Sequence, residues 1–348
     1  MRLRRSAVVT ALLVVPWLLA GQSRQALPEA LTDQEFWSLT ETFSEPNGSF
    51  RSGSGSPDNL LSNEGMVSTV AAQLAERIKP GGVYLGVGPE QNFSYIAAIK
   101  PRIAFITDIR RGNLHLHLMY KALFELSPDR AEFVSRLFTR ARPSGLTGQS
   151  TAAELMSAFS TAVPGDVAAF KTNLKAVTDH LTKARHLRID AEDLAGIEYV
   201  YSNFHLFGPG IFYTASIGGQ QNSAATYAVL MSSTDLTSGA ERTYLANEEH
   251  FSLIKAMQGR NLIVPIVGDF AGPKALGAIG TYLRERGVTV TAFYVSNVER
   301  YLRGSGTWQK FCANVASLPL DANSTFIRPA RLGLGAFGTM APETAGCR

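Results

Sequence analysis

The sequence has few cysteines and no Lys/Arg-rich run with interleaved aromatic residues. Cys312 and Cys347 are the only cysteines among 348 residues, so the chain lacks both the thiol spacing of a zinc site and the cysteine density of a disulfide scaffold. The two cysteines could pair in an oxidising compartment, or Cys312 could be a plain core residue on an apolar helix face; both interpretations stay open. Because no Lys/Arg-rich run with interleaved aromatic residues occurs, we expect no nucleic-acid partner.

Several catalytic motifs are also missing. The chain has no G-x-S-x-G elbow, no H-E-x-x-H helix and no P-loop lysine, so the common hydrolase, protease and NTPase mechanisms lack a nucleophile, a metal or a phosphate cradle. His115 and His117 lie two residues apart on a predicted helix. That spacing points them to different faces, and they cannot bind one metal as an i, i+4 pair would. We therefore expect no metal site.

The N-terminus carries the charge and hydropathy pattern of a secretory signal. Arg2, Arg4 and Arg5 precede an uncharged apolar run over residues 7–20, which is followed by Gly21 and Ser23. The run is short for a membrane span, which needs roughly 20 apolar residues. We predict that residues 1–23 form a signal peptide, or alternatively an N-terminal anchor, and that the protein is exported to the periplasm or the medium. Contact with a membrane is expected only through this segment, if it is not cleaved.

Residues 81–108 have the pattern of a cofactor pocket. An apolar run over residues 83–87 is typical of a buried parallel strand, and Gly86 and Gly88 allow a tight turn at its carboxyl end. A helix is predicted over residues 92–99 and a second buried strand over 103–107. This strand ends at Asp108, where a carboxylate can accept hydrogen bonds from ribose hydroxyls.

The rest of the chain predicts an α/β domain interrupted by helices. Residues 27–80 contain N-terminal helices and a Gly/Ser-rich flap, and residues 127–196 show helical periodicity typical of an insertion. The α/β alternation is predicted to resume at residues 197–201 and 227–232, and strands are expected at 261–267 and 288–295. The α/β domain thus spans 81–126 and 197–305, and 306–348 hold a helix, an edge strand and a tail. Strands separated by helices predict a mostly parallel sheet with helices on both faces.

Polar residues follow the predicted strand ends, where ligands bind to open α/β sheets. The candidate cofactor-binding residues are Gly86, Gly88, Glu90, Asn92 and Asp108. The candidate catalytic residues are Asp269, Asn297 and His205. A structural alternative stays open, in which the glycines only relieve a tight turn, the acids cap helices, and His205 is a partly buried histidine. A small-molecule ligand is expected, and the oligomeric state is left open.

The order of these elements, with the segments VYLGVGPEQNF and FITDIRR, resembles class I S-adenosylmethionine-dependent methyltransferase-like Rossmann proteins. The same stretch, together with SNE at residues 62–64, GDFAGPKAL at 268–276 and YVSNVERYL at 294–302, also resembles an uncharacterised family of bacterial proteins with that fold. The resemblance implies a three-layer Rossmann-like sheet and S-adenosylmethionine as a cofactor. It implies that Gly86 and Gly88 contact the methionine part and that Asp108 holds the ribose.

The sequence departs from the methyltransferase pattern at two positions. Tyr84 stands where the family commonly has an acid, and Glu90 stands where it has a third small residue. One hypothesis is that Glu90 replaces the missing acid from the other side of the turn. Two functions follow: a methyltransferase-like protein that binds a nucleoside-type molecule such as S-adenosylmethionine, or a non-catalytic envelope protein that binds a ligand or partner through a degenerate pocket.

Overall fold

A computed structural model describes residues 26–49, 59–213, 225–331 and 334–347. The six strands are β1 (Val83–Gly86), β2 (Ile103–Asp108), β3 (Ile263–Val267), β4 (Val290–Tyr294), β5 (Thr325–Arg331) and β6 (Leu334–Thr339). The predicted signal peptide lies outside the described residues. Within the described part of the chain, no helix has the length and apolar character needed to cross a membrane.

Fourteen α-helices are described. They are α1 (Asp33–Phe43), α2 (Val67–Arg77), α3 (Gln91–Ile99), α4 (Arg111–Leu126), α5 (Arg130–Phe138), α6 (Ala152–Thr161), α7 (Val167–Asp179), α8 (Ala191–Phe207), α9 (Tyr227–Met231), α10 (Glu248–Gly259), α11 (Ala275–Glu285), α12 (Val298–Gly304), α13 (Trp308–Ala316) and α14 (Met340–Thr344). A π-helical turn, His180–Ala184, follows α7.

The strands form one sheet in the order β3-β2-β1-β4-β5-β6. Every neighbouring pair is parallel except β5 and β6, which are antiparallel. All residues of β1, β2 and β3 are buried, as expected for central parallel strands whose side chains are covered on both faces. The prediction of an α/β protein with a mostly parallel sheet is confirmed.

The two segments at which the α/β alternation was predicted to resume form helices rather than strands, so this prediction was wrong. Residues 197–201 lie in α8 and residues 227–231 form α9. In α8 the side chains of Ile197, Val200, Tyr201 and Phe204 are buried, and their spacing of three, four and seven residues is helical rather than alternating. The predicted edge strand is β5, which is an inner strand because β6 pairs with its other side.

Between β2 and β3 the described residues form helices and turns and contribute no strand to the sheet. Helices α4 and α8 are joined by a polar cluster, in which Asp193 accepts hydrogen bonds from the Arg111 guanidinium at 2.5 Å and lies 2.7 Å from Nε2 of His115. Gly196 allows this approach, since a Cβ there would lie 2.1 Å from Nδ1 of His115. His115 therefore packs two helices together. The division of the chain into an α/β domain and a helical insertion stays a prediction.

The two cysteines form a disulfide. Cys312 on α13 is bonded to Cys347 near the C-terminus, and their Cα atoms are 5.5 Å apart, a separation typical of disulfides. The bond ties the residues after α14 to α13. Of the two interpretations of the cysteines, the structure supports pairing.

Candidate functional site

A cavity of about 780 Å³ opens at the carboxyl ends of the central strands. We call it the strand-end cavity. Its walls come from the ends of β1, β2, β3 and β4, from α12 and from residues 59–63. Its lining residues include Asn59, Leu61, Ser62, Asn63, Val87, Gly88, Gln91, Asp108, Ile109, Arg110, Tyr213, Asp269, Phe270, Tyr294, Ser296, Asn297, Arg300 and Tyr301. The volume is within the range of pockets for drug-sized ligands.

The structure brings four of the predicted site residues into this cavity. Gly88, Asp108, Asp269 and Asn297 all line it, although they follow four different strands. The parallel order of these strands explains the grouping, because parallel strands end at the same edge of a sheet. Gly88 has a φ of +77°, a conformation that favours glycine.

Three other predicted residues support the turn from behind. The side chains of Glu90 and Asn92 are fully buried and do not line the cavity among the described residues. Asn92 donates from Nδ2 to the carbonyl oxygens of Val87, Gly88 and Pro89 at 3.0, 3.1 and 2.8 Å. A Cβ at Gly86 would lie 2.1 Å from Oδ1 of Asn92. Gly86 and Asn92 thus fix the shape of the turn.

Tyr84 and Glu90 are both turned away from the cavity. The Tyr84 hydroxyl donates to Oδ1 of Asn92 at 2.8 Å. The Glu90 carboxylate accepts from the backbone N–H of Ser62 at 3.2 and 3.3 Å, and burial raises the pKa of its carboxyl to about 7. A carboxyl in this position anchors residues 59–63 to the glycine turn. It does not reach the cavity as a replacement for the missing acid.

His117 also supports the turn. Its Nε2 lies 2.9 Å from the carbonyl oxygen of Gly88, and burial lowers the pKa of the ring to about 4. A neutral ring that faces a carbonyl must carry its proton on Nε2, because the carbonyl oxygen can only accept. The edge of the His117 ring packs against Phe93. His117 therefore has a structural role that its spacing from His115 did not indicate.

Asp108 forms an ion pair at the cavity wall. Its Oδ1 accepts from the backbone N–H and from Nε of Arg110 at 2.9 and 3.1 Å, and its Oδ2 accepts from Nη2 of Arg110 at 3.0 Å. A carboxylate offers about four lone-pair positions. These three bonds use both positions on Oδ1 and one on Oδ2, which leaves Oδ2 able to accept one more hydrogen bond.

Two sequence-predicted catalytic candidates differ in position. Asp269 lines the cavity and caps a local turn, with Oδ1 accepting from the N–H of Ala271 at 2.9 Å. His205 lies in α8, where its ring stacks on Phe170 with 4.9 Å between centroids. Burial and the nearby charge of Arg140 lower the pKa of His205. Because His205 does not line the strand-end cavity, we assign it to helix packing.

The sequence reasoning missed the role of Glu45. Its Oε1 accepts from the N–H groups of Lys274 and Ala275 at 2.8 and 2.9 Å, and its Oε2 accepts from the N–H of Asp269 at 3.1 Å. The carboxylate therefore occupies the N-terminus of α11, where an anion is stabilised. A Cβ at Gly272 would lie 2.2 Å from Oε2 of Glu45. In the sequence, Gly272 of the GDFAG segment is the only local indication that another side chain approaches the backbone closely here.

Asn47 has the same function at α4. Its Oδ1 accepts from the N–H of Arg111 at 2.9 Å. Residues 44–47 thus cap both helices that follow β2 and β3. The cavity lies beside two helix N-termini at which the protein's own side chains bond some of the N–H groups, one at α4 and two at the start of α11.

A family model described as "Domain of unknown function (DUF7790)" matches residues 60–192 and 224–342. This match covers more than half of the chain, and the chain belongs to that family. No curated protein matches the chain. Gly88, Asp108, Asp269 and Asn297 lie within the matched ranges, whereas His205 lies outside them. Among the described residues, no group of three or more His, Cys, Asp or Glu side chains is arranged to hold a metal ion.

Proposed function

We propose that this protein is exported and that its strand-end cavity binds a nucleoside-type small molecule on a methyltransferase-like, three-layer Rossmann scaffold. The strand order supports the scaffold. From β1 the chain proceeds to β2 and β3 on one side, and later strands β4 to β6 lie on the other side. The order reverses between β1 and β4, and ligands of open α/β sheets bind at such a switch point.

The position and bonding of Asp108 carry the proposal. Its Oδ2 can accept one further hydrogen bond at the cavity wall, and a ribose hydroxyl is a donor of the right kind. Gln91 adds a second acceptor nearby, because its buried Oε1 has no hydrogen-bond partner in the described structure while its Nε2 donates to the carbonyl of Val87 at 3.2 Å. Ile109 and Phe270 supply apolar wall for a base.

S-adenosylmethionine fits this cavity in part. Its nucleoside can be held by Asp108, but neither position expected to hold its amino group faces the cavity. Tyr84 is bonded to Asn92, and Glu90 is bonded to the N–H of Ser62. We therefore derive no methyl-transfer step, and the nucleoside is the part of the ligand that the residues support.

The capped helix N-termini favour an uncharged nucleoside over a nucleotide. Glu45 occupies the N-terminus of α11, and Asn47 caps α4. A phosphate at either place would have to displace the cap, and at α11 it would meet the Glu45 carboxylate. Anions bind well at helix N-termini only when the N–H groups are free.

The alternative is a non-catalytic envelope protein with a degenerate cofactor pocket. The lack of an acid for the amino group favours it. The disulfide between Cys312 and Cys347 fits the same interpretation, because disulfides persist in oxidising compartments such as the periplasm. Both functions share the cavity, and they differ in whether a reaction follows binding.

Calorimetric titration of the purified protein tests the proposal. We expect adenosine to bind with measurable heat and adenosine monophosphate to bind more weakly than adenosine. S-adenosylmethionine and S-adenosylhomocysteine should bind with affinities similar to each other. Asp108→Asn should weaken adenosine binding about tenfold or more, because a hydrogen bond to a charged group is worth about 1.5–3 kcal/mol. Asp166→Asn is the matched control, since Asp166 caps α7 outside the cavity and Asn caps equally well. The proposal would be contradicted if adenosine, S-adenosylmethionine and S-adenosylhomocysteine all failed to bind, or if Asp108→Asn bound adenosine as tightly as the wild type.

A further inference from the structure

A second cavity lies beside the strand-end cavity. Its volume is about 780 Å³, and it shares Asn63, Ser296, Asn297 and Arg300 with its neighbour. It is formed where the SNE segment (residues 62–64) meets the YVSN segment (residues 294–297). The proposed function uses neither Glu64 nor the space in front of it.

Glu64 and Glu299 are the acidic residues that line this second cavity, and Glu299 is paired with Arg328. The Oε1 atom of Glu64 accepts hydrogen bonds from the hydroxyl of Tyr294 and from Oγ of Ser296, the latter at 2.7 Å. Its Oε2 accepts no hydrogen bond within the described part of the chain. Burial raises the pKa of this carboxyl, against the lowering effect of the two hydroxyl donors. The carboxylate has no cationic partner among its described contacts.

Two of the three arginines around the second cavity, Arg328 and Arg303, have other contacts, while Arg300 is exposed. Arg328 donates to both carboxylate oxygens of Glu299, at 2.6 and 2.9 Å, and to Glu343 at 2.7 Å. The guanidinium of Arg303 stacks on Trp308, 3.4 Å from the ring centroid. The guanidinium groups of Arg328 and Arg303 are therefore directed to these partners rather than to Glu64. An uncompensated, largely enclosed carboxylate costs stability, which indicates a role in binding rather than in folding.

Aromatic and apolar residues form another part of the wall of the second cavity. Tyr95 lines the second cavity, and its ring contacts that of Tyr294 edge to face, with 5.2 Å between centroids. Met66 and Val70 add apolar wall. A carboxylate oxygen that lines a cavity is suited to an ammonium group, which gains a charge-assisted hydrogen bond.

We propose that the second cavity binds the ammonium group of an amine-bearing small molecule, with Oε2 of Glu64 as its acceptor and Tyr294 and Ser296 positioning the carboxylate. Arg300 lines both cavities and is exposed. The site is independent of the nucleoside proposed for the strand-end cavity, and each can be tested without the other.

Benzylamine is the probe, and benzyl alcohol is its neutral counterpart. The methyl group of Met66, labelled with ¹³C and assigned through Met66→Leu, reports binding inside the cavity by NMR. We expect benzylamine to shift this signal at millimolar concentration and to bind about tenfold more weakly to Glu64→Gln, while benzyl alcohol binds both proteins equally. Glu76→Gln, an exposed site on α2, should bind benzylamine like the wild type.

Stability measurements separate binding from a structural role. Because Glu64 is uncompensated, Glu64→Gln is expected to melt at the same temperature as the wild type or higher. A strongly lowered melting temperature would overturn the proposal, as would equal benzylamine binding by Glu64→Gln or no Met66 shift in the wild type. Asp108→Asn should bind benzylamine normally, so that a failure of this proposal is distinct from a failure of the nucleoside proposal.

Discussion

The two sides of the glycine turn after β1 differ in their contacts: one side is buried and hydrogen-bonded within the protein, and the other lines the strand-end cavity. On the buried side, Asn92 is bonded to the Tyr84 hydroxyl and to three carbonyl oxygens of the turn. Glu90 accepts a hydrogen bond from the N–H of Ser62, and Gly86 packs closely against Asn92. On the cavity side, Gly88 and Asp108, which ends the next strand, both line the strand-end cavity. One short motif therefore contains residues that maintain the fold and a residue that lines the strand-end cavity. Substitutions on the two sides should separate stability from binding.

The largest expected effect is on the buried side, at Glu90. Its pKa is raised from 4.5 to about 7 in the folded protein, so the folded state binds more protons than the unfolded state between these values. Glu90 should therefore contribute a fall of up to about 3 kcal/mol in the free energy of unfolding as pH rises from about 4.5 to about 7, which His117, with its pKa lowered to about 4, opposes between about pH 4 and 6.5. Urea denaturation at several pH values measures this loss.

Glu90→Gln should remove the Glu90 contribution, because its amide does not titrate, so that its free energy of unfolding should rise relative to that of the wild type as pH increases from about 4.5 to about 7. Glu76→Gln on the exposed face of α2 is the control and should retain the wild-type slope. An unchanged slope in Glu90→Gln would mean that Glu90 titrates normally and is not a buried acid.

The next largest effect is expected at Gly86. A Cβ there would lie 2.1 Å from Oδ1 of Asn92 and 2.8 Å from the ring of Tyr84, so Gly86→Ala should lower the free energy of unfolding by about 2 kcal/mol. Gly277→Ala is the matched control in α11, where a Cβ meets no atom within 4 Å. The control should stabilise the protein by about 0.5–1 kcal/mol. Equal stability of the two variants would contradict the tight packing behind the turn.

On the cavity side, Asn297→Ala should change binding more than stability. Asn297 lines both cavities and precedes α12 without a side-chain cap bond. We expect the free energy of unfolding to change by less than about 0.5 kcal/mol and adenosine binding to weaken severalfold. Calorimetry and urea denaturation of the same preparation compare the two. A large loss of stability with unchanged adenosine binding would show that Asn297 supports the fold rather than the ligand.

The smallest effect is expected at His205. Because its ring stacks on Phe170 outside the strand-end cavity, His205→Gln should leave adenosine affinity within about twofold of the wild type by calorimetry. A tenfold loss would return His205 to the list of site residues.

The sequence predicted the sheet well because buried parallel strands are apolar throughout and end in polar residues. The runs before Gly86, Asp108 and Asn297 each become a strand. The error at residues 197–201 came from an apolar stretch too short to show its period. The longer helix α8 shows that its buried positions repeat every three to four residues.

The site was harder to predict because side-chain direction depends on distant contacts. Glu90 and Gly88 lie two residues apart, and only the contact between Glu90 and Ser62 shows that the carboxylate faces inward. The caps formed by Glu45 and Asn47 join segments more than sixty residues apart. No local pattern indicates such pairs, although Gly272 marks one close approach.

A crystal structure of the protein with adenosine tests the central claim most directly. The ribose should lie in the strand-end cavity, with one hydroxyl oxygen about 3 Å from Oδ2 of Asp108 and the Arg110 ion pair intact. Adenosine bound elsewhere, or bound in the cavity with its ribose away from Asp108, would contradict the account.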